Sequence, residues 1–310
     1  MKRYISIDGG TTNTRVSLVE DGRVIDTLKF PIGARAGLSD KSALPNAVKS
    51  GISELLSRNS LKACDVDKIL ASGMITSDSG LVALPHLTLP VGLSELKRGV
   101  FETKLPEISE IPFAFIRGVK SESESFEDTD MIRGEETEIM GFPIHNSAVY
   151  MLMGSHTKLI RLENEKIVSS ATTLTGELIA SLATGTILKD SFSLDFDDFD
   201  KKRLFEGFEY ANSNGLNEAL FKTRILKNLF AVTELEAYSF FLGACLSGEV
   251  RALANFRSRK IFIGGKRQLK RAVYELLKST GFYAEMISDE AVDESVIKGQ
   301  IKIYEYEEQK

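Results

Sequence analysis

Cysteine is scarce in this chain. Two occur in 310 residues, Cys64 and Cys245, far apart and in apolar surroundings. No disulfide framework can rest on such a pair, and the expectation is two reduced, buried thiols of a cytoplasmic protein. There is no run of 18 apolar residues, so no membrane-spanning helix is predicted. Lys2 and Arg3 could open a secretory leader, but Asp8 and the glycines after it interrupt any apolar stretch. His86 and His145 have no ligand-spaced partners, which argues against a metal site built on His or Cys. Charge of one sign is missing as well. The 39 Lys and Arg face 44 Asp and Glu, a net charge of −5, and the basic residues are scattered. Nucleic acid is therefore not the expected partner, and neither is a membrane. The length suits two domains of ordinary size.

What is present is one device written twice. Tyr4–Leu18 carries an apolar strand, the turn Asp8-Gly9-Gly10-Thr11-Thr12-Asn13, and a second strand. Val149–Leu162 does the same around Gly154-Ser155-His156-Thr157-Lys158. Each reaches a polar turn, Asp21-Gly22 or Glu163-Asn164, before a third strand. A strand running into small hydroxyl residues leaves backbone N–H groups unpaired, and with Ser/Thr hydroxyls these form an anion cradle. Two cradles facing each other could grip one polyphosphate.

The elements around them repeat too. Residues 4–8, 15–20 and 23–30 predict a three-stranded antiparallel meander. Leu44, Ala47, Val48, Ile52, Leu55 and Leu56 have helical spacing, with Pro45 suited to the first turn of a helix over 44–58. A strand over 66–72 runs into the loop Gly73–Ser77, and another covers 111–117. Ser121–Asp130 reads as a solvated loop. Arg133–Gly141 opens a short helix whose acidic first turn complements the helix dipole. The second half predicts a meander over 149–171, a helix from about Gly176, and mostly helical sequence to about 256, including Phe240–Leu253. The strand Lys260–Gly265 and an amphipathic helix over Gln268–Ser279 follow. The boundary is expected near Gly141–Asn146, giving lobes at 1–143 and 144–310, with the final helix packing back on the first lobe.

Asp8, at the end of a strand beside the glycines, is the best candidate to hold Mg²⁺, which keeps most of its waters and takes one or two carboxylates. Its plainer role is a turn residue. Phosphoryl transfer to an alcohol needs a proton acceptor. Glu135 suits that task, because Gly134 allows close approach and the helix start fixes its direction; alternatively it serves only the helix dipole. His156 reads equally as a phosphate donor or a turn residue.

The whole pattern resembles the superfamily of actin, hexokinase and the heat-shock chaperone ATPases. Asp8–Asn13 resembles its phosphate-1 motif, Gly154-Ser155-His156-Thr157 its phosphate-2 motif, and Ile263-Gly264-Gly265 its adenosine motif. Within it, the chain resembles the 2-dehydro-3-deoxygalactonokinase family through Met131–Glu138, Gly154–Lys158, Leu174–Leu178 and Leu242–Val250. Gly73-Met74 and Leu220–Arg224 also fit.

The resemblance implies an α/β fold of two ribonuclease H-like lobes with a nucleotide cleft between them. It implies a sugar-acid kinase using ATP and Mg²⁺, with 2-dehydro-3-deoxygalactonate as acceptor. Gly9, Gly10, Thr11, Thr12 and Asn13, with Gly154, Ser155, His156, Thr157 and Lys158, would then hold phosphates. Gly264 and Gly265 would lie along the adenosine, Asp8 would carry the metal, and Glu135 would be the base. The family's sugar kinases usually place Asp there, so Glu136 is a rival. Met153 replaces the acid that often precedes phosphate-2, which puts more weight on Asp8. Tryptophan, frequent in the family, is absent. The acceptor's carboxylate needs a cation, because a buried unpaired carboxylate is costly. Arg133, Arg35, Arg15 and Lys158 are the candidates, with Gly73 and Met74 close to the same site. The alternatives are a kinase for another sugar or 2-keto-3-deoxy acid, or an ATP-binding regulator or activating ATPase of the same superfamily. The helical region 200–256 reads either as a homodimer interface or as a lobe core.

Overall fold

The computed structural model describes residues 1–143, 147–256 and 260–307. The expected boundary at 141–146 falls partly, and His145 wholly, outside them. The chain divides into two compact units. The first holds Met1–His145, Glu163–Ser170 and Glu290–Lys310; the second holds Asn146–Leu162 and Ala171–Asp289.

In the first unit the meander is β1 (Arg3–Gly9), β2 (Thr14–Glu20) and β3 (Arg23–Phe30). Helix α1 (Ala43–Arg58) follows, then β4 (Lys68–Gly73), β5 (Leu87–Thr88), α2 (Leu93–Arg98), β6 (Phe101–Leu105), β7 (Ser109–Phe115), β8 (Val119–Lys120), β9 (Met131–Ile132) and α3 (Glu135–Gly141). The main sheet runs β3-β2-β1-β4-β7-β6, and β5-β8-β9 form a small one. Strands β1, β4 and β7 are parallel, so their C-terminal ends share one edge. Ile5, Ile7, Val16, Ile69, Phe113 and Phe115 are completely buried. Against them α1 lays Leu44, Val48, Ile52 and Leu55, a stripe one helical face wide.

Edge strand β6 escaped the sequence reading, although Phe101, Thr103 and Leu105 alternate with Glu102 and Lys104. Cys64 is a correction: it is exposed, not buried, because Ala63–Asp65 forms a 3₁₀ turn at the surface before β4. Cys245 is buried as expected, and both thiols are free.

The second unit begins with β10 (Ser147–Met153), β11 (Thr157–Glu163) and β12 (Lys166–Thr173). Helices α4 (Thr175–Gly185), α5 (Lys201–Asn214), α6 (Leu216–Leu229) and α7 (Glu234–Leu253) come next, then β13 (Lys260–Gly265), α8 (Arg267–Lys278) and β14 (Tyr283–Met286). Its sheet order, β12-β11-β10-β13-β14, matches β3-β2-β1-β4-β7 position by position. In both, the first strand pairs in parallel with its crossover neighbour. This duplicated meander-plus-crossover sheet is the actin-like ATPase fold expected from the sequence. Among the described residues no helix is long and apolar enough to cross a membrane.

The last helix, α9 (Asp289–Tyr304), returns to the first unit. Buried Gln300 accepts from Ser6 Oγ at 2.6 Å and donates to Ile7 O and Ser72 Oγ, each at 2.9 Å. Gly141 and Gly299 bring α3 and α9 nearly into backbone contact. A Cβ on Gly299 would lie 1.9 Å from Thr137 O, and one on Gly141 1.8 Å from Ser295 O.

Candidate active site

In the first unit the site is built on three glycines at the shared edge of β1, β4 and β7. Gly9 and Gly73 are register partners. Gly73 has φ +86, and a Cβ there would meet Gly9 O at 2.5 Å. Gly134, at φ +114, packs on Gly73, where a Cβ would lie 3.2 Å from its Cα. Asp8 and the start of α3 are thereby drawn to one place.

Asp8 pairs across the sheet with Arg15, Nη2 to Oδ2 at 3.1 Å, and Arg15 also donates to Asp293 O at 3.1 Å. Burial raises the Asp8 carboxyl above its ordinary range, Arg15 opposes that, and Glu135 adds to it. At the start of α3 two carboxylates fold back on the preceding backbone. Glu135 Oε2 accepts from Arg133 N–H at 3.0 Å, and Glu136 Oε2 from Gly134 N–H at 2.7 Å. Glu136 is fully buried, with Oε1 accepting from Thr137 Oγ1 at 2.9 Å, and burial and Glu135 push its pKa up to about 8. Glu138, one turn beyond Glu135, is pushed up to about 8 by burial, Glu135 and Asp8. Asp8, Arg15, Glu135 and Glu138 thus form one cluster of ionisable groups.

The turn after Asp8 is cinched from inside. Gly10 N–H donates to Asn13 O at 2.9 Å, while Gly10 O and Thr11 O accept from Ala34 and Arg35 N–H at 3.1 and 2.9 Å. A Cβ on Gly33 would lie 2.5 Å from Gly10 O. The carbonyls are occupied, and among the described residues the N–H groups of Thr11 and Thr12 have no acceptor, the arrangement of an anion nest. Beside it lies a cavity of about 530 Å³ lined by Asp8, Gly10, Thr12, Asn13, Arg15 and Lys29.

The second unit holds the other turn, Gly154–His156, between β10 and β11. Helix α4 starts directly on it. A Cβ on Gly176 would lie 2.0 Å from Gly154 O, and Glu177 N–H donates to Ser155 O at 2.8 Å. His156 Nε2 and Glu177 Oε2 are 2.8 Å apart. Thr157 and Lys158 are buried in β11. Gly265, at φ +91, lies against Met153, the residue before the turn, and Lys266 N–H donates to Met153 O at 2.7 Å. Gly154, the start of α4 and Gly264-Gly265 are therefore neighbours.

Comparison with known proteins decides the family. The sequence profile described as 2-keto-3-deoxy-galactonokinase matches residues 8–302. The chain belongs to that family. It is an enzyme of the kinase class. A relative in Escherichia coli (strain K12), 2-dehydro-3-deoxygalactonokinase, is 23% identical over 261 residues, 82% of this chain and 81% of its own. DgoK1 of Rhizobium meliloti (strain 1021), assigned the same activity, is 25% identical over 191 residues. That match spans 60% of this chain and 58% of the relative, under two thirds of its length. A crystal structure from Sinorhizobium meliloti, also assigned as a 2-dehydro-3-deoxygalactonokinase, superposes with TM-score 0.78 at 21% identity, covering 97% of both chains.

Against this kinase family, the candidate cations sit as follows. Arg15 is paired with Asp8. Arg133 donates through Nη1 to Thr76 O and Oγ1 at 2.7 and 2.6 Å, and through Nη2 to Leu84 O at 3.2 Å, with His86 Nδ1 at 3.3 Å. Arg35 is exposed, on a 3₁₀ turn beside the first nest, and Lys158 is buried in the second unit. Met74 opens the 3₁₀ turn Met74–Thr76 whose Thr76 holds Arg133. Sequence reasoning missed Glu138 and Thr76. Glu138 was findable as the residue three beyond Glu135, on the same helix face. Thr76 was not, since its partner lies 57 residues away.

Proposed function

We propose that this protein transfers the γ-phosphoryl group of ATP to a primary hydroxyl of 2-dehydro-3-deoxygalactonate. The observation that carries the reading is the gathering of Asp8, an open N–H nest and Glu135 at one sheet edge in a chain of this family. The nest of Thr11 and Thr12 suits phosphate oxygens, as does the Gly154–His156 turn at the start of α4. Gly264 and Gly265 let the second unit's backbone lie against an adenosine. Among the described residues no group of three or more His, Cys, Asp or Glu is placed for a metal. Hydrated Mg²⁺ fits nonetheless, since with phosphates present it takes one or two carboxylates, and Asp8 keeps 32% of its side chain exposed. The metal would neutralise charge on the phosphates.

Glu135 accepts the acceptor hydroxyl's proton as its oxygen bonds to the γ-phosphorus and the bond to ADP breaks. Glu136, with both oxygens held inside the helix start, is a structural carboxyl group in this scheme. Arg133 positions Glu135, binding it through the backbone while the guanidinium ties down the Thr76–His86 loop.

The test is ADP release from ATP and Mg²⁺ across a panel of sugar acids and uncharged sugars. Turnover with 2-dehydro-3-deoxygalactonate well above the rest is expected. ADP release indifferent to any acceptor would sink the reading and favour an activating ATPase.

A further inference from the structure

A second cavity in the first unit, of about 340 Å³, lies among β5, α2 and the segment after β7. That volume is at the low end for small-molecule sites, roughly 300–1,000 Å³. Leu87, Thr88, Val91, Glu95, Arg98 and Arg117 line it, and none of them belongs to the candidate active site. Arg117 is its unusual member. Its Nε is buried without an acceptor, and among the described residues the guanidinium makes neither a hydrogen bond nor an ion pair. A half-buried guanidinium with no acceptor is costly, because it gives up water for nothing.

The charge around the cavity is positive on balance. Glu95 is the one lining carboxylate, and it is already engaged by Lys166 at 2.7 Å, Arg98 at 3.5 Å and Gly92 N–H at 2.8 Å. Among the lining residues Arg117 and Arg98 therefore outweigh it by one charge. A planar guanidinium fork matches phosphate and carboxylate oxygens. Leu87 and Val91 add an apolar wall for a short carbon skeleton.

We propose that this cavity is a second, non-catalytic anion site that takes a small ligand bearing a phosphate or carboxylate group, with Arg117 as its main anchor. The site adjoins the catalytic loop through the chain. Leu87 follows His86, Arg117 precedes Gly118, and a Cβ on Gly118 would touch both His86 and Arg133.

Isothermal titration calorimetry of the full chain, with inorganic phosphate and separately with malonate, tests this. The phosphate nests could also take up these anions, so the readout is the difference between wild type and variants. One binding step should weaken at least about tenfold in Arg117→Gln and in Arg98→Gln, as when a charge-assisted contact is lost. Without added inorganic phosphate or malonate, kcat and KM for the sugar acid should stay at wild-type values. The probe that shows the step tells phosphate from carboxylate. Titrations identical in wild type and both variants overturn the proposal. So does a raised KM for the sugar acid in Arg117→Gln, which would move Arg117 into the acceptor site. Arg98 is 65% exposed, so its variant keeps the test valid if Arg117→Gln does not fold. The calorimetry does not depend on the proposed reaction, so the two readings fail separately.

Discussion

Four carboxylates crowd the loop edge of the first sheet, and their surroundings separate their tasks. Glu136 is sealed with both oxygens satisfied, whereas Glu135 keeps partial exposure beside Asp8. Glu135→Gln should therefore lower kcat by roughly 100- to 10,000-fold with little change in ATP affinity, as for loss of a general base. Glu136→Gln should be much milder in steady-state kinetics, and the reverse ranking would transfer the role to Glu136. Asp8→Asn should cost at least about 100-fold in turnover, since an amide holds a metal–phosphate clamp poorly. Its circular dichroism should match wild type, because the lost pair with Arg15 is partly solvated. Near-normal kcat at low Mg²⁺ would remove Asp8 from the metal site. The residue types and their order were legible in the sequence. The difference between Glu135 and Glu136 was not, because adjacent helix positions face different neighbours.

Among the elements, α4 and α3 carry the argument, each by a glycine contact. Gly176 places the start of α4 on the Gly154 turn. Gly176→Ala must push the helix off it, which should cost about 1–3 kcal/mol in urea unfolding, as for overpacking. It should also weaken ADP binding measured by calorimetry. Gly185→Ala, at the other end of α4, is the control. Its Cβ meets nothing within 4 Å, so it should be neutral or stabilise by about 0.5–1 kcal/mol. Equal effects from the two would mean that α4 does not shape the turn. Strand and helix existence was mostly readable, since α1 differs by one residue from its hydrophobic stripe and α8 by one at each end. The two-residue strands β5, β8 and β9 are too short for any period to show.

For the whole molecule, the carboxylates raised above their ordinary range make stability depend on pH. In the folded state Glu136 and Glu138 hold their protons to about pH 8, whereas unfolded chains release them near the ordinary glutamate value. The folded state therefore binds more protons, and stability must fall as pH rises from about 5 to about 9. Urea midpoints should decline across that window, and Glu136→Gln should flatten the decline. A midpoint that rises over the same range would show that Glu136 is ionised when folded. The duplicated sheet order belongs to this scale as well: two units share one topology while their helices differ.

By itself the sequence determined the duplicated strand–turn–strand plan, the fold class, the family and the residue types available for catalysis. These are local matters: apolar period, glycine and hydroxyl turns, and short motifs whose meaning survives without neighbours. Only the tertiary structure decided that Arg15 belongs to Asp8, that Arg133 belongs to Thr76, Leu84 and His86, and that Cys64 faces solvent. It alone left Arg117 without an acceptor among the described residues. A side chain's partner is chosen by which strands end at the same edge and how closely glycines let them approach. Both depend on contacts between residues tens to hundreds of positions apart, and no local pattern encodes them.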